Sequence, residues 1–257
     1  MKTVILCGGQ GTRMREETEF KPKPMVTIGG RPILWHVMKM YGQHGLTDFV
    51  LALGYKGEMI KDYFLHYEAM NNDFTMTLGH NDKVEYHNVH GEKNFQVTLA
   101  NTGENTMTGA RIKKIEKYID EDTFCLTYGD GVSDVDISKL VAFHKKHGKT
   151  ATVCTVHAQS RYGSLGLSGD QVTSFAEKPL SEGWISVGFF VLDKKVFTYV
   201  TDDDTCTFEQ KPLQQLAKDG ELMAYRHEGF FAAMDTYREA QALNDLWNKK
   251  AAPWKTW

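Results

Sequence analysis

The sequence predicts an α/β fold, in which a Rossmann-like, mostly parallel sheet is flanked by helices and carries antiparallel additions. Short apolar runs suited to buried strands alternate along the chain with segments in which apolar residues recur at helical spacing. The first run, residues 3–7, passes directly into a glycine-rich loop. Two runs of a different kind, residues 74–78 and 96–99, alternate between apolar and polar residues. They predict half-buried strands that form antiparallel additions or an oligomer contact.

The remaining strands and helices are predicted from the same two patterns, apolar runs for strands and apolar residues at helical spacing for helices. Further buried strands are predicted at residues 49–53, 124–127, 150–156, 184–192 and 221–227. Helices are predicted at residues 33–41, 57–67, 107–119, 137–147, 194–199, 209–219 and 237–248. Asp136 is placed to cap the helix at 137–147, and residues 161–165 and 172–175 predict a hairpin.

Composition limits the classes of protein to which the chain can belong. A length of 257 residues suits one large domain or two small ones. The net charge of −3 provides no basic field for nucleic acid. The four cysteines, at positions 7, 125, 154 and 206, form no C-x-x-C pair and fit a reducing compartment. With no run of 18 apolar residues and no signal-peptide pattern, the sequence predicts a cytoplasmic protein.

The glycine-rich loop after the first strand has the features of a polyphosphate site. Gly8, Gly9 and Gly11 leave the backbone free to turn its N–H groups toward an anion. Arg13 closes the loop with a planar guanidinium, and Lys23 follows between two prolines that stiffen its backbone.

Three other interpretations of this loop fit the sequence less well. A dinucleotide fingerprint would need a third glycine where Met14 stands, and an acidic residue after the second strand, where Gly54-Tyr55-Lys56 stands. A P-loop would need G-x-x-x-x-G-K-[ST], which the sequence does not contain. A bare glycine turn would leave Arg13 and Lys23 unexplained.

The same residues carry a family resemblance. Leu6-x-Gly-Gly-x-Gly-Thr-Arg13, followed by Lys21-Pro-Lys23-Pro-Met25, resembles the signature of sugar-1-phosphate nucleotidyltransferases. The fuller stretch 28–36, the segment 128–132 and the tail 252–257 resemble the glucose-1-phosphate cytidylyltransferase branch. The resemblance spans nearly the whole chain and implies transfer of a cytidylyl group from CTP to α-D-glucose 1-phosphate, with Mg²⁺ as cofactor.

The resemblance also assigns a nucleotide-binding set and two catalytic cations, Arg13 and Lys23. The nucleotide-binding residues it implies are Leu6, Gly8, Gly9, Gln10, Gly11, Thr12, Arg13, Lys23, Thr102, Gly103, Arg111 and Gly129. Arg111 has a physical argument of its own, because a cation near a helix start opposes the helix dipole and is better explained by a bound anion. The alternative is an ordinary surface arginine.

Two aspartates are the candidate metal ligands. Asp130 follows a buried strand and lies between two glycines, so little shields its carboxylate from Mg²⁺. Asp235 matches the second metal ligand of the resembled family. The competing interpretations are a turn aspartate for Asp130 and a helix N-cap for Asp235.

The sugar-phosphate side of the site rests on the resemblance alone. It implies Tyr128, Gly163, Glu177, Lys178 and Ser186. Here the chain also departs from the branch, because Ser186-Val187 stands where Asn-Gly is expected before Gly188. This departure leaves the identity of the sugar open.

Three functional alternatives therefore remain beside the leading hypothesis. They are transfer of another nucleotidyl group, transfer to another phosphorylated substrate, and a non-catalytic sugar-nucleotide sensor. Retention of both cations and both aspartates argues against the sensor. The expected organisation is a nucleotidyltransferase domain at residues 1–235, with the sugar-phosphate pocket in its second half, and a C-terminal helix and tryptophan-rich tail at 236–257 that packs on this domain or on a neighbouring subunit. The resemblance also implies a homo-oligomer, a trimer or hexamer, with no nucleic-acid or membrane partner.

Overall fold

A computed structural model of the chain describes residues 1–79, 83–87, 90–159, 164–176 and 180–257. The strands in the described residues, in chain order, are β1 Thr3–Cys7, β2 Thr27–Ile28, β3 Arg31–Pro32, β4 Asp48–Leu53, β5 Phe74–Met76, β6 Val84–Tyr86, β7 Gln96–Asn101, β8 Thr123–Tyr128, β9 Gly131–Ser133, β10 Ala151–Gln159, β11 Ser164–Ser168, β12 Gln171–Ala176, β13 Leu180–Asp193, β14 Leu222–Arg226 and β15 Phe231–Ala233. The α-helices are α1 Arg15–Thr18, α2 Ile33–Gly42, α3 Gly57–Leu65, α4 Tyr67–Asn71, α5 Thr108–Lys114, α6 Ile137–His147, α7 Lys211–Lys218 and α8 Tyr237–Asn248. None of the helices in these ranges is long and apolar enough to cross a membrane.

One large sheet organises the described part of the chain. Its seven strands lie in the order β14-β10-β13-β8-β1-β4-β7. All run parallel to one another except β13, which is antiparallel to both of its neighbours. The prediction of a mostly parallel α/β sheet is therefore confirmed.

Apolar residues cover both faces of this sheet, because successive residues of a strand point to opposite sides. In β1, Ile5 and Cys7 belong to one buried cluster, whereas Val4 and Leu6 belong to the other. The first cluster includes side chains of α2, α6 and α8, and the second includes side chains of α5 and α7. The chain thus forms a three-layer arrangement, with helices on each face of the sheet.

The antiparallel additions are confirmed in one place and wrong in another. β11 and β12 form the predicted antiparallel hairpin, and β5 pairs with β6 in a second small hairpin. However, β7, which was expected among these additions, pairs in parallel with β4 at the edge of the main sheet. An alternating pattern indicates only that one face of the strand is exposed. An edge strand of a parallel sheet can also have an exposed face, so the pattern does not give the direction of the strand.

Two aspartates were considered as helix N-caps, and only one of them has this role in the structure. Asp136 accepts a hydrogen bond from the Lys139 N–H at 3.0 Å and caps α6, as predicted. The prediction that Asp235 could cap the last helix is wrong. Thr236 is the N-cap of α8, where its side chain and that of Glu239 form a capping box. The carboxylate of Asp235 instead pairs with Arg13 and Lys23.

The tryptophans at the C-terminus pack on the chain's own core. Trp254 is fully buried, stacks on Phe230 and Trp247, and donates from Nε1 to Nδ1 of the buried His36 at 3.3 Å. Burial of such large rings contributes apolar contact that holds the tail against α2 and α8. The division of the chain at residue 235 stays a prediction.

Candidate active site

The site lies beyond the carboxyl ends of β1 and β8. These strands are parallel neighbours, so the glycine loop after β1 and the Gly129-Asp130 turn after β8 emerge at the same edge. The Gly129 N–H donates to the Leu6 carbonyl at 3.1 Å, which joins the two turns directly. A Cβ on Gly129 would stand 3.1 Å from the same oxygen, a tight contact that a larger residue could keep only if the two turns moved slightly apart.

A second pairing brings the two predicted metal ligands together. β9, directly after Asp130, runs antiparallel to β15, which ends two residues before Asp235. The Met234 N–H donates to the Asp130 carbonyl at 2.9 Å. Two aspartates that are 105 positions apart in the sequence (235 − 130) thus face the same point.

Lys23 lies between these carboxylates. Its Nζ is 2.7 Å from Oδ2 of Asp130 and 2.6 Å from Oδ1 of Asp235. Arg13 also reaches Asp235, with 3.1 Å between NH1 and Oδ2. The sequence placed these four residues in one site, and the structure brings all four into contact.

The charges of this cluster reinforce one another. Burial of Lys23 favours its neutral form, but the charge and hydrogen bonds of Asp130 and Asp235 outweigh burial, so the pKa of Lys23 lies above its ordinary value. Lys23 therefore remains an ammonium group at neutral pH. Two carboxylates and two cations thus balance one another locally.

Asp130 and Asp235 fit Mg²⁺ as its protein ligands. Their side chains are 30% and 29% exposed, so oxygens of both can reach a ligand from the solvent side. Within the residues that the structure describes, no cluster of three or more His, Cys, Asp or Glu side chains could hold a metal by itself. The two carboxylates of Asp130 and Asp235 are nevertheless enough for Mg²⁺, which commonly takes one or two carboxylates from a protein and completes its coordination shell with water and substrate phosphate oxygens.

The glycine loop is open where a polyphosphate would approach. Gly9, Gln10 and Thr12 are exposed, and Arg13 has 74% of its side-chain surface exposed. Gly11 has a positive φ of 62°, and a Cβ there would stand 2.7 Å from Cγ2 of Thr18. The loop thus depends on glycine for its backbone conformation and presents its polar groups outward.

Arg111 corrects one step of the sequence argument. It is the fourth residue of α5 and is 3% exposed. Its guanidinium donates at 2.7–3.1 Å to Thr102 Oγ1 and to the carbonyl oxygens of Gly8, Leu53, Gly103 and Glu104. The alternative of an ordinary surface arginine is therefore wrong, and no bound anion is needed to explain the cation, because backbone carbonyls satisfy it. Direct contact between Arg111 and a nucleotide stays a prediction.

Thr102 and Gly103 share this arrangement. The Thr102 hydroxyl is buried and donates to the Leu53 carbonyl at 2.7 Å, so it faces the protein rather than the loop surface. Gly103 is exposed and has a φ of 102°. Of these two predicted nucleotide contacts, Gly103 is the one on the open side.

A cleft next to Asp130 contains two of the residues predicted to bind the sugar phosphate. Its volume is ≈ 630 Å³, and its lining residues include Arg13, Tyr128, Asp130, Ser186, Gly188 and Asp235. Ser186 is exposed in it, whereas Val187 is 5% exposed and packs mainly into the core below. Gly163, Glu177 and Lys178 lie outside the described residues.

Glu209 is a functional candidate that sequence reasoning missed. It lies just before α7, accepts a short hydrogen bond from the Tyr128 hydroxyl, and accepts another from Thr108 Oγ1 at 2.6 Å. The periodicity of residues 209–219 predicts a helix that begins at Glu209, and nothing in that pattern marks Glu209 as a site residue. Nothing local in the sequence links it to a tyrosine 81 positions away.

Comparisons with known proteins agree with this geometry. The family model described as "Nucleotidyl transferase" matches residues 2–247. A glucose-1-phosphate cytidylyltransferase from Salmonella typhi is 50% identical over 259 residues and covers 100% of each chain. A mannose-1-phosphate guanyltransferase from Aspergillus oryzae is 30% identical over 90% of this chain and 60% of that protein.

Solved structures show the same fold. HddC from Yersinia pseudotuberculosis superposes with a TM-score of 0.69 and 26% identity over 96% of this chain and 99% of that one. The glycine loop, the paired aspartates and the two cations lie within the residues that the family model matches. This chain belongs to the nucleotidyl transferase family.

Proposed function

We propose that the protein transfers a cytidylyl group from CTP to α-D-glucose 1-phosphate, in a Mg²⁺-dependent reaction that gives CDP-glucose and pyrophosphate. The choice of CTP and glucose is supported by the 50% identity, over full length, to a glucose-1-phosphate cytidylyltransferase. The guanyltransferase relative is only 30% identical. The observation that carries the chemistry is Lys23, which lies between Asp130 and Asp235 within reach of the glycine loop.

The reaction is an exchange at the α-phosphorus of CTP. An oxygen of the sugar phosphate forms a bond to this phosphorus, and the bond to the bridging oxygen of the β-phosphate breaks. The attacking phosphate is already anionic at neutral pH, so no general base is needed. Rate enhancement then depends on positioning and on neutralising charge that accumulates in the transition state.

Each cation has a separate task in this scheme. Lys23 stabilises charge at the α-phosphate, while Arg13 and the amides of residues 8–12 hold the departing pyrophosphate. Mg²⁺, held by Asp130 and Asp235, would act as a Lewis acid that neutralises phosphate oxygens. Tyr128 and Ser186, on the other wall of the cleft, contact the sugar phosphate, together with Gly163, Glu177 and Lys178 as predicted from the family.

Pyrophosphate release tests the proposal. CTP, UTP, dTTP and ATP are each combined with a panel of sugar 1-phosphates that includes glucose, in the presence of Mg²⁺. Release with CTP and glucose 1-phosphate supports the proposal. Release only with another pair would keep nucleotidyl transfer but overturn the assigned substrates, and binding without any release would favour a sensor.

Two further parts of the proposal concern the state of the protein. We infer that it works in the cytoplasm, where nucleoside triphosphates are available. We also infer a homo-oligomer, supported by exposed apolar side chains of α3, α4 and β5: Leu65, Met70, Phe74 and Met76. Light scattering on the purified protein tests this, and a monomer at micromolar concentration would contradict it.

A further inference from the structure

The ring of Tyr128 is held in one position in the cleft wall. Tyr128 is the last residue of β8, and its ring meets that of Phe190 edge to face at 6.5 Å. On the other side lies Gly188, with a φ of 79°, where a Cβ would overlap the tyrosine ring. The position of the phenol is therefore set by the sheet, two residues from the metal ligand Asp130.

The hydroxyl of Tyr128 is held as well, by Glu209. Oε1 of Glu209 accepts the hydrogen bond from Tyr128, and Oε2 accepts from Thr108 Oγ1 at 2.6 Å. The Thr108 hydroxyl in turn accepts from the Phe208 N–H at 2.9 Å, which directs its own proton toward Glu209. The carboxylate is thus fixed between two hydroxyl donors on opposite sides.

This arrangement determines which groups Tyr128 can recognise. An ionised carboxylate only accepts hydrogen bonds, so the single phenolic proton of Tyr128 must point to Glu209. Tyr128 lines the cleft, and with its proton directed to Glu209 the phenol oxygen has only lone pairs to offer another partner. Phosphate oxygens at neutral pH are acceptors, whereas a sugar hydroxyl can donate.

We propose that Glu209 is a positioning residue that fixes the Tyr128 hydroxyl as a hydrogen-bond acceptor for a hydroxyl group of the sugar. The proposal rests on the proposed function, because it names a contact within the sugar 1-phosphate site. It also revises the role of Tyr128, which recognises the sugar ring rather than its phosphate. Glu209 contributes to selection of the sugar without touching it.

The test uses four variants and one matched control. Glu209→Ala removes the acceptor, Glu209→Gln keeps an acceptor oxygen, Tyr128→Phe removes the hydroxyl, and a double variant combines Glu209→Ala with Tyr128→Phe. Asp202→Ala removes a carboxylate of equal charge from an exposed position in the same segment. For each protein, KM and kcat are measured with glucose 1-phosphate and its monodeoxy analogues at saturating CTP.

The expected result is a change in KM for the sugar phosphate. Glu209→Ala and Tyr128→Phe should each raise KM for glucose 1-phosphate by about 10-fold, the effect of one lost hydrogen bond to a ligand, with little change in KM for CTP. At least one deoxy analogue should bind worse than glucose 1-phosphate to the wild type, and both variants should lose this discrimination. Glu209→Gln should retain most of it.

The double variant separates positioning from a general effect on the fold. If Glu209 acts through Tyr128, the double variant should match Tyr128→Phe alone. Calorimetry with CDP-glucose and CTP gives a readout independent of turnover, in which Glu209→Ala should weaken binding of CDP-glucose but not of CTP.

Two results would overturn the proposal. One is a Glu209→Ala protein that behaves as Asp202→Ala does. The other is an effect of Glu209→Ala that has the same size with and without the Tyr128 hydroxyl. Failure of the proposed function would look different, since the wild type itself would then form no product from CTP and glucose 1-phosphate.

Discussion

Lys23 is the residue on which most of the electrostatics of the site depends. It is paired with both Asp130 and Asp235, and its side chain is only 12% exposed. Its Nζ occupies the point where the two carboxylates converge, 2.7 Å from Asp130 and 2.6 Å from Asp235. Binding of Mg²⁺ by both aspartates therefore requires Lys23 to find another anionic partner, and the α-phosphate of CTP is that partner in the proposed mechanism.

Binding of metal should consequently be coupled to binding of nucleotide. We expect the protein alone to bind Mn²⁺, a paramagnetic substitute for Mg²⁺, at least 10-fold more weakly than its CTP complex does. Lys23→Gln should raise the affinity of the free protein for Mn²⁺ while it lowers the rate of cytidylyl transfer by about 10²–10³-fold. Electron paramagnetic resonance measures the free metal directly.

Lys21→Gln is the matched control for this substitution. Lys21 belongs to the same Lys-Pro-Lys-Pro segment, but its partner is Glu17, at 3.0 Å. It should leave both the affinity for Mn²⁺ and the rate near the wild-type values. Equal affinity for Mn²⁺ in wild type and Lys23→Gln, without nucleotide, would show that Lys23 does not compete with the metal.

At the scale of elements, α5 joins the loops predicted to bind the nucleotide through one buried side chain, Arg111. Arg111 donates to carbonyl groups that follow β1, end β4 and follow β7. Burial lowers the pKa of Arg111 from its ordinary value, and the backbone oxygens around it provide the compensating hydrogen bonds. The fork of the guanidinium suits this role because it presents several donors at fixed angles.

Arg111→Lys should destabilise the protein even though the charge is kept. A lysine cannot satisfy several carbonyl groups at once, so we expect the free energy of unfolding to fall by about 2–4 kcal/mol. Urea denaturation followed by circular dichroism measures the change. Lys113→Gln, on the same helix with a partly exposed side chain, is the control, and an Arg111→Lys protein as stable as this control would contradict the account.

The elements also show where sequence reasoning succeeds and where it fails. The sequence pattern predicted β1 and α8 with the observed bounds, because β1 is a continuous apolar run and the apolar residues of α8 recur at helical spacing. The pattern could not decide the direction of β7, since the sequence of an edge strand alternates in the same way in parallel and antiparallel sheets. Cap preference alone also allowed Asp235, but Thr236 is the cap because its side chain accepts from the Glu239 N–H. The Glu239 carboxylate in turn accepts from the N–H groups of Asp235 and Thr236.

The candidate site divides in the same way. Arg13, Lys23 and Asp130 were predicted because glycines, prolines and a strand end around them indicate a phosphate or metal site, whereas Asp235 was predicted from the family resemblance alone. The buried environment of Arg111 and the contact of Glu209 with Tyr128 come from tertiary folding, which brings together residues with no shared local pattern. Long-range pairing of this kind requires a structure.

For the whole molecule, buried histidines link stability to pH. His36 is fully buried; burial lowers its pKa to about 4, and it bonds to the Ile28 carbonyl and to Trp254 in the C-terminal tail. Burial likewise lowers the pKa of His144 to about 4. Both must stay neutral in the folded protein, whereas a histidine in the unfolded chain binds a proton near pH 6.5.

The free energy of unfolding should therefore fall as the pH drops from about 6.5 to about 4, because the unfolded state takes up more protons. His36 alone should contribute about 3 kcal/mol over this range. His36→Asn should reduce the number of protons taken up on unfolding by about one, and thus reduce the slope of the free energy of unfolding against pH. Urea denaturation at several pH values measures this slope. His66→Asn, at an exposed site, is the control; an unchanged slope in His36→Asn would contradict the assignment.

The central claim is that this site makes CDP-glucose, and a competition experiment tests it most directly. The protein is incubated with glucose 1-phosphate, Mg²⁺ and equal concentrations of CTP, UTP, dTTP and GTP, and the sugar nucleotides are identified by mass spectrometry. The account predicts that CDP-glucose predominates and that Asp130→Asn lowers its rate of formation by about 10²–10³-fold. A different nucleoside diphosphate glucose as the main product, or full activity in Asp130→Asn, would contradict it.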